Sequence, residues 1–339
     1  WTRAGIDGWR LDAVADVPRE TLERLVAAAR KVNPRAIVVA ELVPDGAPRY
    51  LGRPAGIVTD FPASNALLRF FLRREGGAEE LATTLAARSF AFGAEVERML
   101  LFLADLDQSR PLTLAQDPAL VRLAGMFLFT LPCTPLLLYG DEVGLSCGRE
   151  AGAFEQGLDR VVMRWSRTEE WDRTTLRCLR ELLWLRQEAP VAGGTFRLLH
   201  AAGPVLAWAR SDAQEEVLGL VNVGDAPAVL AHDTLDGAPG GELWREGAIN
   251  AADGAVHLGP RSGAIFRRAL VSPKEREPAR EDPALRNLAR VDRAFRRGAL
   301  GGARPTRWYL NLTERCNLRC AHCITCAPER TAARTARDM

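Results

Sequence analysis

An α/β chain is predicted: parallel strand–helix units of the kind that close into a barrel, then a small antiparallel β-domain, then a cysteine-bearing tail. Three observations carry this. Apolar runs of strand length alternate with stretches of helical periodicity over the first 188 residues or so, and polar or acidic residues gather where each run ends. From Thr195 the texture changes to short alternating runs divided by Asp236-Gly237, Pro239-Gly240 and Asp253-Gly254.

The elements follow in order. Ile6 to Leu11 reads as a strand. Asp16 is placed to cap a helix with Pro18 in its first turn, and Leu22, Leu25, Val26 and Ala29 mark one face before Asn33-Pro34 stops it. Ala36 to Glu41 is a continuous apolar run ending on an acid, as expected of a parallel strand buried on both faces. Strand, helix, strand with short turns is a parallel β-α-β unit. The pattern recurs through a short strand at Gly56–Asp60, helices near Ser64–Arg74 and Ala78–Ser89, and a strand at Met99–Leu103. A long apolar helix near Pro118–Leu131, a strand at Pro135–Tyr139 and a helix near Trp171–Glu188 complete it. Val205–Ala209 and Val217–Val221 are strands of the β-domain. Residues 272–304 are charged and rich in Arg and Pro, with one amphipathic helix striped by Leu285, Leu288, Val291 and Phe295, which reads as a linker with a solvated face.

The bulk numbers narrow the function classes. The chain has 339 residues, 47% hydrophobic and 26% charged, with a net charge of +2. That composition is ordinary for a globular protein and gives no reason to expect nucleic-acid binding. No apolar run approaches the roughly 20 residues that span a membrane. The chain opens on Trp1 with no visible targeting signal. Cys133, Cys147 and Cys178 are scattered and read as small core or loop residues, whereas Cys316, Cys320, Cys323 and Cys326 crowd together near the end. Such spacing suits a metal better than disulfides and predicts a reducing compartment, the cytoplasm.

Gly5-Ile6-Asp7-Gly8-Trp9-Arg10-Leu11-Asp12-Ala13-Val14 is the most informative segment. Arg10 and Asp12, two apart on a strand, share one face at its end. The guanidinium keeps the carboxylate ionised, and an ionised, oriented carboxylate can act as a nucleophile. A structural salt bridge is the alternative. Glu41 and Asp107 also close strands, 29 and 95 residues beyond Asp12, so the three acids can converge on the C-terminal rim where a β/α barrel keeps its active site. Retaining glycoside hydrolysis needs two such carboxyl groups, about 5–5.5 Å apart. In the tail, Cys316-x3-Cys320-x2-Cys323 can hold three irons of a four-iron cluster, or zinc with Cys326 or His322 as fourth ligand.

These motifs carry two resemblances. GIDGWRLDAV resembles the second conserved region of glycoside hydrolase family 13, the alpha-amylase family. Val38-Val39-Ala40-Glu41-Leu42 resembles its third region, and Phe102–Arg110 its fourth. The likeness, extending over about residues 1–270, implies Asp12 as nucleophile, Glu41 as general acid/base and Asp107 as the acid that distorts the sugar and stabilises its transition state. Arg10 would orient the nucleophile, and Asp105 and Arg110 would join it in binding substrate. Asp60-Phe61-Pro62, Leu131–Pro135 and Tyr139-Gly140-Asp141-Glu142 also resemble barrel segments of the family. Leu106 stands where the family has a sugar-binding His, and Asp105 replaces the usual Asn. Ala15-Asp16 replaces a Lys-His pair of starch-type enzymes, which directs the expectation to small maltodextrins or transglycosylation. Tyr309 to Cys323 resembles the opening of radical S-adenosylmethionine enzymes, implying a [4Fe-4S] cluster on Cys316, Cys320 and Cys323 with S-adenosylmethionine on the open iron.

The resulting expectation is a partial (β/α)8 TIM barrel (residues 1–190, strands four to eight), an antiparallel β-sandwich (191–270), a charged linker (271–305) and the start of a radical S-adenosylmethionine barrel (306–339). On the resemblance the first three barrel strands have no sequence here. A five-stranded sheet would leave edges unburied, so the piece is expected to be inactive alone. The expected partners are an alpha-glucan or oligosaccharide and an unknown peptide or small molecule for the radical domain. A non-catalytic amylase-like carbohydrate-binding scaffold, serving the radical enzyme, is the alternative that Leu106 supports.

Overall fold

The computed structural model describes residues 1–42, 56–147 and 160–270; the linker and the tail with Cys316, Cys320 and Cys323 lie outside the described residues. Five strands, β1 (Gly8–Leu11), β2 (Ile37–Ala40), β3 (Ile57–Thr59), β4 (Met99–Phe102) and β5 (Thr134–Leu136), form one sheet in chain order. Every neighbouring pair is parallel. Apolar side chains fill both of its faces, which is why these segments read as unbroken hydrophobic runs. Val38, Ala40, Val58, Met99 and Leu101 join the large core under the helices. Val39, Ile57, Leu100, Phe102 and Leu136 form a separate cluster on the other face. At Gly8 a Cβ would meet the Ile37 carbonyl oxygen at 2.6 Å, so only glycine lets β1 and β2 approach this closely.

The crossover helices are α1 (Arg19–Val32), α2 (Phe61–Leu67), α3 (Ala78–Phe92), α4 (Pro111–Ala115) and α5 (Pro118–Thr130), with α6 (Arg173–Leu185) and α7 (Ala189–Gly193) after β5. Asp60, Asp117 and Asp172 cap α2, α5 and α6 by accepting main-chain N–H groups of Ala63, Ala119 and Thr174. Asp16, expected to cap the first helix, lies instead in a 3-10 turn, Val14–Asp16, and Pro18 takes the cap position of α1. The cause is Ala13, whose left-handed backbone (φ 44°, ψ 46°) turns the chain before the helix begins. The helix read from Ser64 to Arg74 changes pitch: α2 runs into a π-helical turn, Leu68–Arg73, that drives Phe70, Phe71 and Leu72 into the core together.

Eight antiparallel strands follow. β6 (Thr195–Ala202), β7 (Val205–Ser211), β8 (Glu215–Asn222), β10 (Gly241–Glu246) and β13 (Ser262–Ala269) make a sheet in the order β10-β13-β8-β7-β6; β9 (Ala228–Ala231), β11 (Ile249–Ala252) and β12 (Ala255–Leu258) make a second in the order β11-β12-β9. Leu218, Leu220, Leu230, Val256, Leu258 and Phe266 pack between the two. The larger sheet's other face lies on the helices that cover the parallel sheet, where α5 is apolar almost all round and correspondingly buried.

Candidate active site

The C-terminal ends of β1 and β2 meet at one guanidinium. Arg10 is largely buried; its Nη1 pairs with Asp12 Oδ1 and its Nη2 with Glu41 Oε1 at 2.9 Å. The parallel register Arg10↔Val39 and Leu11↔Ala40 produces this meeting, since it brings the two strand ends level. Glu41 is fixed further by the turn after Asp12. Its Oε2 accepts the Ala13 N–H at 3.1 Å, its carbonyl accepts the Val14 N–H at 3.1 Å, and its own N–H donates to the Leu11 carbonyl at 2.8 Å.

Their environments drive the two carboxyls apart. Asp12, with 72% of its side chain exposed, is held below the usual carboxylate range by a hydrogen bond from Glu41 and then by Arg10. Glu41 is pushed above its ordinary value, first by burial and also by its bond to Asp12. The open carboxyl is thus pushed toward its ionised form and the buried one toward a higher proton affinity. Such divergence marks out an acid and a nucleophile in one site.

The fourth strand's loop supplies the remaining residues. Asp107 is half exposed and pairs with Arg160 Nη2 at 2.7 Å. Arg160 Nε also donates to the Leu106 carbonyl at 3.0 Å, and the Arg160 charge helps to hold Asp12 ionised. Arg160 thus ties the Asp107 loop electrostatically to the β1 end, and nothing in its local sequence singles it out. Asp105 is buried, accepts the Asp107 N–H at 2.9 Å and is raised by that burial, so it shapes the loop that presents Asp107. Arg110, expected to join in binding substrate, is placed inside the fold. Its side chain is fully buried, pairs with Asp141 at 3.0 Å and stacks 4.5 Å over the Tyr139 ring, bracing the ends of β4 and β5 from within. Leu106 is half-buried. No cluster of three or more potential metal ligands occurs among the described residues.

Glu142, next to that brace, carries a pH dependence. Its Oε2 is buried with no hydrogen-bond partner, and burial pushes the carboxyl from 4.5 up to about 7. Asp141 adds to the shift and Arg110 opposes it. The folded chain therefore binds more protons than the unfolded chain between those two values, and stability falls as pH rises through the window. Thermal unfolding from pH 4.5 to 8 should show a decline, on the order of 1–3 kcal/mol, that Glu142→Gln removes. An unchanged slope in the variant would refute it.

No family model matches the chain. It is 31% identical over 228 residues to a cyclomaltodextrinase of Bacillus sp, covering 66% of this chain and 40% of that protein. It is 30% identical over 251 residues to neopullulanase 2 of Thermoactinomyces vulgaris, covering 72% and 41%. The chain thus spans about two fifths of the length of these curated relatives. Among solved structures it is similar to the ligand-free cyclic alpha-maltosyl-(1→6)-maltose hydrolase from Arthrobacter globiformis, with a TM-score of 0.66 and 25% identity over 80% of this chain and 57% of that one. A structure titled cyclomaltodextrinase matches with a TM-score of 0.66 and 28% identity over 78% of this chain and 46% of that one. Relatives and structural neighbours together support a glycoside hydrolase family 13 domain, that of the alpha-amylase family, in this chain.

Proposed function

We propose that this domain serves an α-retaining glycosidase or transglycosylase acting on alpha-glucans of maltodextrin size. The observation that carries the reading is the pair on Arg10: Asp12 and Glu41 held by one guanidinium, the first open to solvent and lowered in proton affinity, the second more buried and raised. Two carboxyls sharing one guanidinium suit the retaining arrangement, about 5–5.5 Å apart, better than the inverting one, about 6.5–9.5 Å apart to admit water. In the first step an Asp12 oxygen bonds to the anomeric carbon while the glycosidic C–O bond breaks, and the Glu41 proton passes to the leaving oxygen. In the second, Glu41 takes a proton from water or an acceptor hydroxyl, whose oxygen bonds to the anomeric carbon and releases Asp12. Asp107, presented by its loop, would stabilise the oxocarbenium-like charge. The relatives' names, cyclomaltodextrinase, neopullulanase and maltogenic alpha-amylase, support the substrate class. The test is maltodextrin turnover by the protein at the full length of its gene, compared with Asp12→Ala.

A carbohydrate-binding scaffold without turnover is the second reading, favoured by Leu106, which has no group to donate to a sugar hydroxyl. Binding of maltodextrin with no product after long incubation would establish it.

For the tail we propose the radical S-adenosylmethionine reading, with a cytoplasmic location. The donor set is three thiols at C-x3-C-x2-C spacing, Cys316, Cys320 and Cys323, which fits a [4Fe-4S] cluster with one open iron. Bound there, S-adenosylmethionine would supply a radical on reductive cleavage. Anaerobic reconstitution with iron and sulfide should give a broad visible absorbance that Cys320→Ala loses and Cys178→Ala keeps. Stoichiometric zinc with no such absorbance would replace the cluster by a zinc site.

A further inference from the structure

Ala13 follows Asp12 directly and sits at φ 44°, ψ 46°, in the left-handed region. Alanine has no polar side chain to stabilise that conformation, as Asn or Asp has, and lacks the freedom of glycine. Such a residue persists only where its surroundings over-determine it, and such strain clusters at functional sites. Here the surroundings are Glu41. The turn directs two consecutive main-chain N–H groups at that one residue, Ala13 N–H to Oε2 and Val14 N–H to the carbonyl, each at 3.1 Å. Arg10 already holds Oε1. With the Ala13 amide in place, both carboxyl oxygens of Glu41 are held.

We propose that Ala13 is a positioning residue: its left-handed turn aims a main-chain N–H at Glu41 Oε2 and fixes the carboxyl against Asp12. This rests on the acid/base reading of Glu41 and gives the turn a role in it. Burial raises the proton affinity of Glu41, and the bond from Ala13 is the largest influence opposing that rise. The other charged groups acting on it are Arg10, which opposes protonation, and Asp12, which favours it; Arg160 acts on Asp12 from across the site. An acid that must give up its proton in the first step cannot be left with too high an affinity, so the amide keeps Glu41 able to cycle.

The test is the titration of the Glu41 carboxyl by 13C NMR in the full chain. Ala13→Gly keeps both the left-handed backbone and the N–H, and should leave the titration where it is. Ala13→Val, β-branched and strongly averse to this conformation, should swing the amide away and shift the Glu41 titration upward by about 0.5–1 pH unit. Should the Val variant not fold, replacing the Ala13 amide by an ester through semisynthesis removes the N–H alone and should give the same upward shift. A titration unmoved by the ester, or by a folded Val variant, overturns the proposal. The readout needs no turnover, so the two readings fail separately: an upward shift in a protein that never hydrolyses glucan counts only against the hydrolase reading.

Discussion

Asp12→Ala is expected to lower maltodextrin turnover by about 10³-fold or more, about 4 kcal/mol of transition-state stabilisation, with little change in substrate affinity. Asp12 is the exposed member of the pair, lowered in proton affinity by Glu41 and Arg10, and among the described residues it has no neighbour able to replace it. Asp107 is committed to Arg160 at 2.7 Å, and Asp105 is buried beneath its own loop. The loss should not come from unfolding, because a side chain 72% exposed contributes little to packing. Glu41→Gln should also lower it, by about 10²–10⁴-fold, and its deficit should shrink with substrates whose leaving group needs no proton. Asp12→Ala should show no such relief. If both variants respond alike to leaving-group acidity, the roles assigned here are wrong. Wild-type turnover in Asp12→Ala would end the hydrolase reading altogether.

Much of the site was legible because its signal is local. Arg10 and Asp12 are two apart on a strand, and Glu41 closes an apolar run whose length fits one strand–helix repeat. The runs themselves were readable because β2 and β4 are buried on both faces. What stayed hidden depends on contacts far along the chain. Arg110 lies three residues beyond Asp107, yet its guanidinium turns inward because Tyr139 and Asp141, about thirty residues later, provide a ring face and a carboxylate. Arg160 has no motif of its own and becomes significant only when the loop after β5 reaches Asp107. The left-handed Ala13 has no sequence signature either: an alanine there reads as helix former, and it was Asp16, not Ala13, that the pattern offered as a helix boundary. The π-helical turn at Leu68–Arg73 is a response to packing three large side chains at once.

Trp208→Ala should cost about 3–5 kcal/mol and separate the sandwich from the barrel. Trp208 is fully buried on β7, yet its partners belong to α5: its ring meets Phe127 edge-on at a centroid distance of 4.7 Å, and its Nε1–H donates to Thr130 Oγ1 at 2.9 Å. Gly219 on β8 makes room for it, since a Cβ there would lie 2.1 Å from the indole. Leu206, Trp208, Val221, Trp244 and Ile265 of the larger β-sheet belong to the same core as Phe71, Leu123 and Phe127 of the barrel; the sandwich's interior is a different cluster. The two units therefore share one core across their boundary, and Trp208 is its largest fully buried side chain. Polar contacts at this boundary are weaker substitutes. Arg122 pairs bidentately with Glu246 at 2.7 Å and is partly buried, whereas the Arg74–Asp225–Arg261 chain is exposed and worth little. Urea unfolding followed by both tryptophan fluorescence and far-UV circular dichroism should show coincident transitions in the wild type and displaced ones in Trp208→Ala. Trp208→Phe, which keeps an apolar ring and loses the bond to Thr130, should fall between them at about 1–2 kcal/mol. Coincident transitions in all three proteins would mean that the ion pairs, not the shared core, hold the sandwich to the barrel.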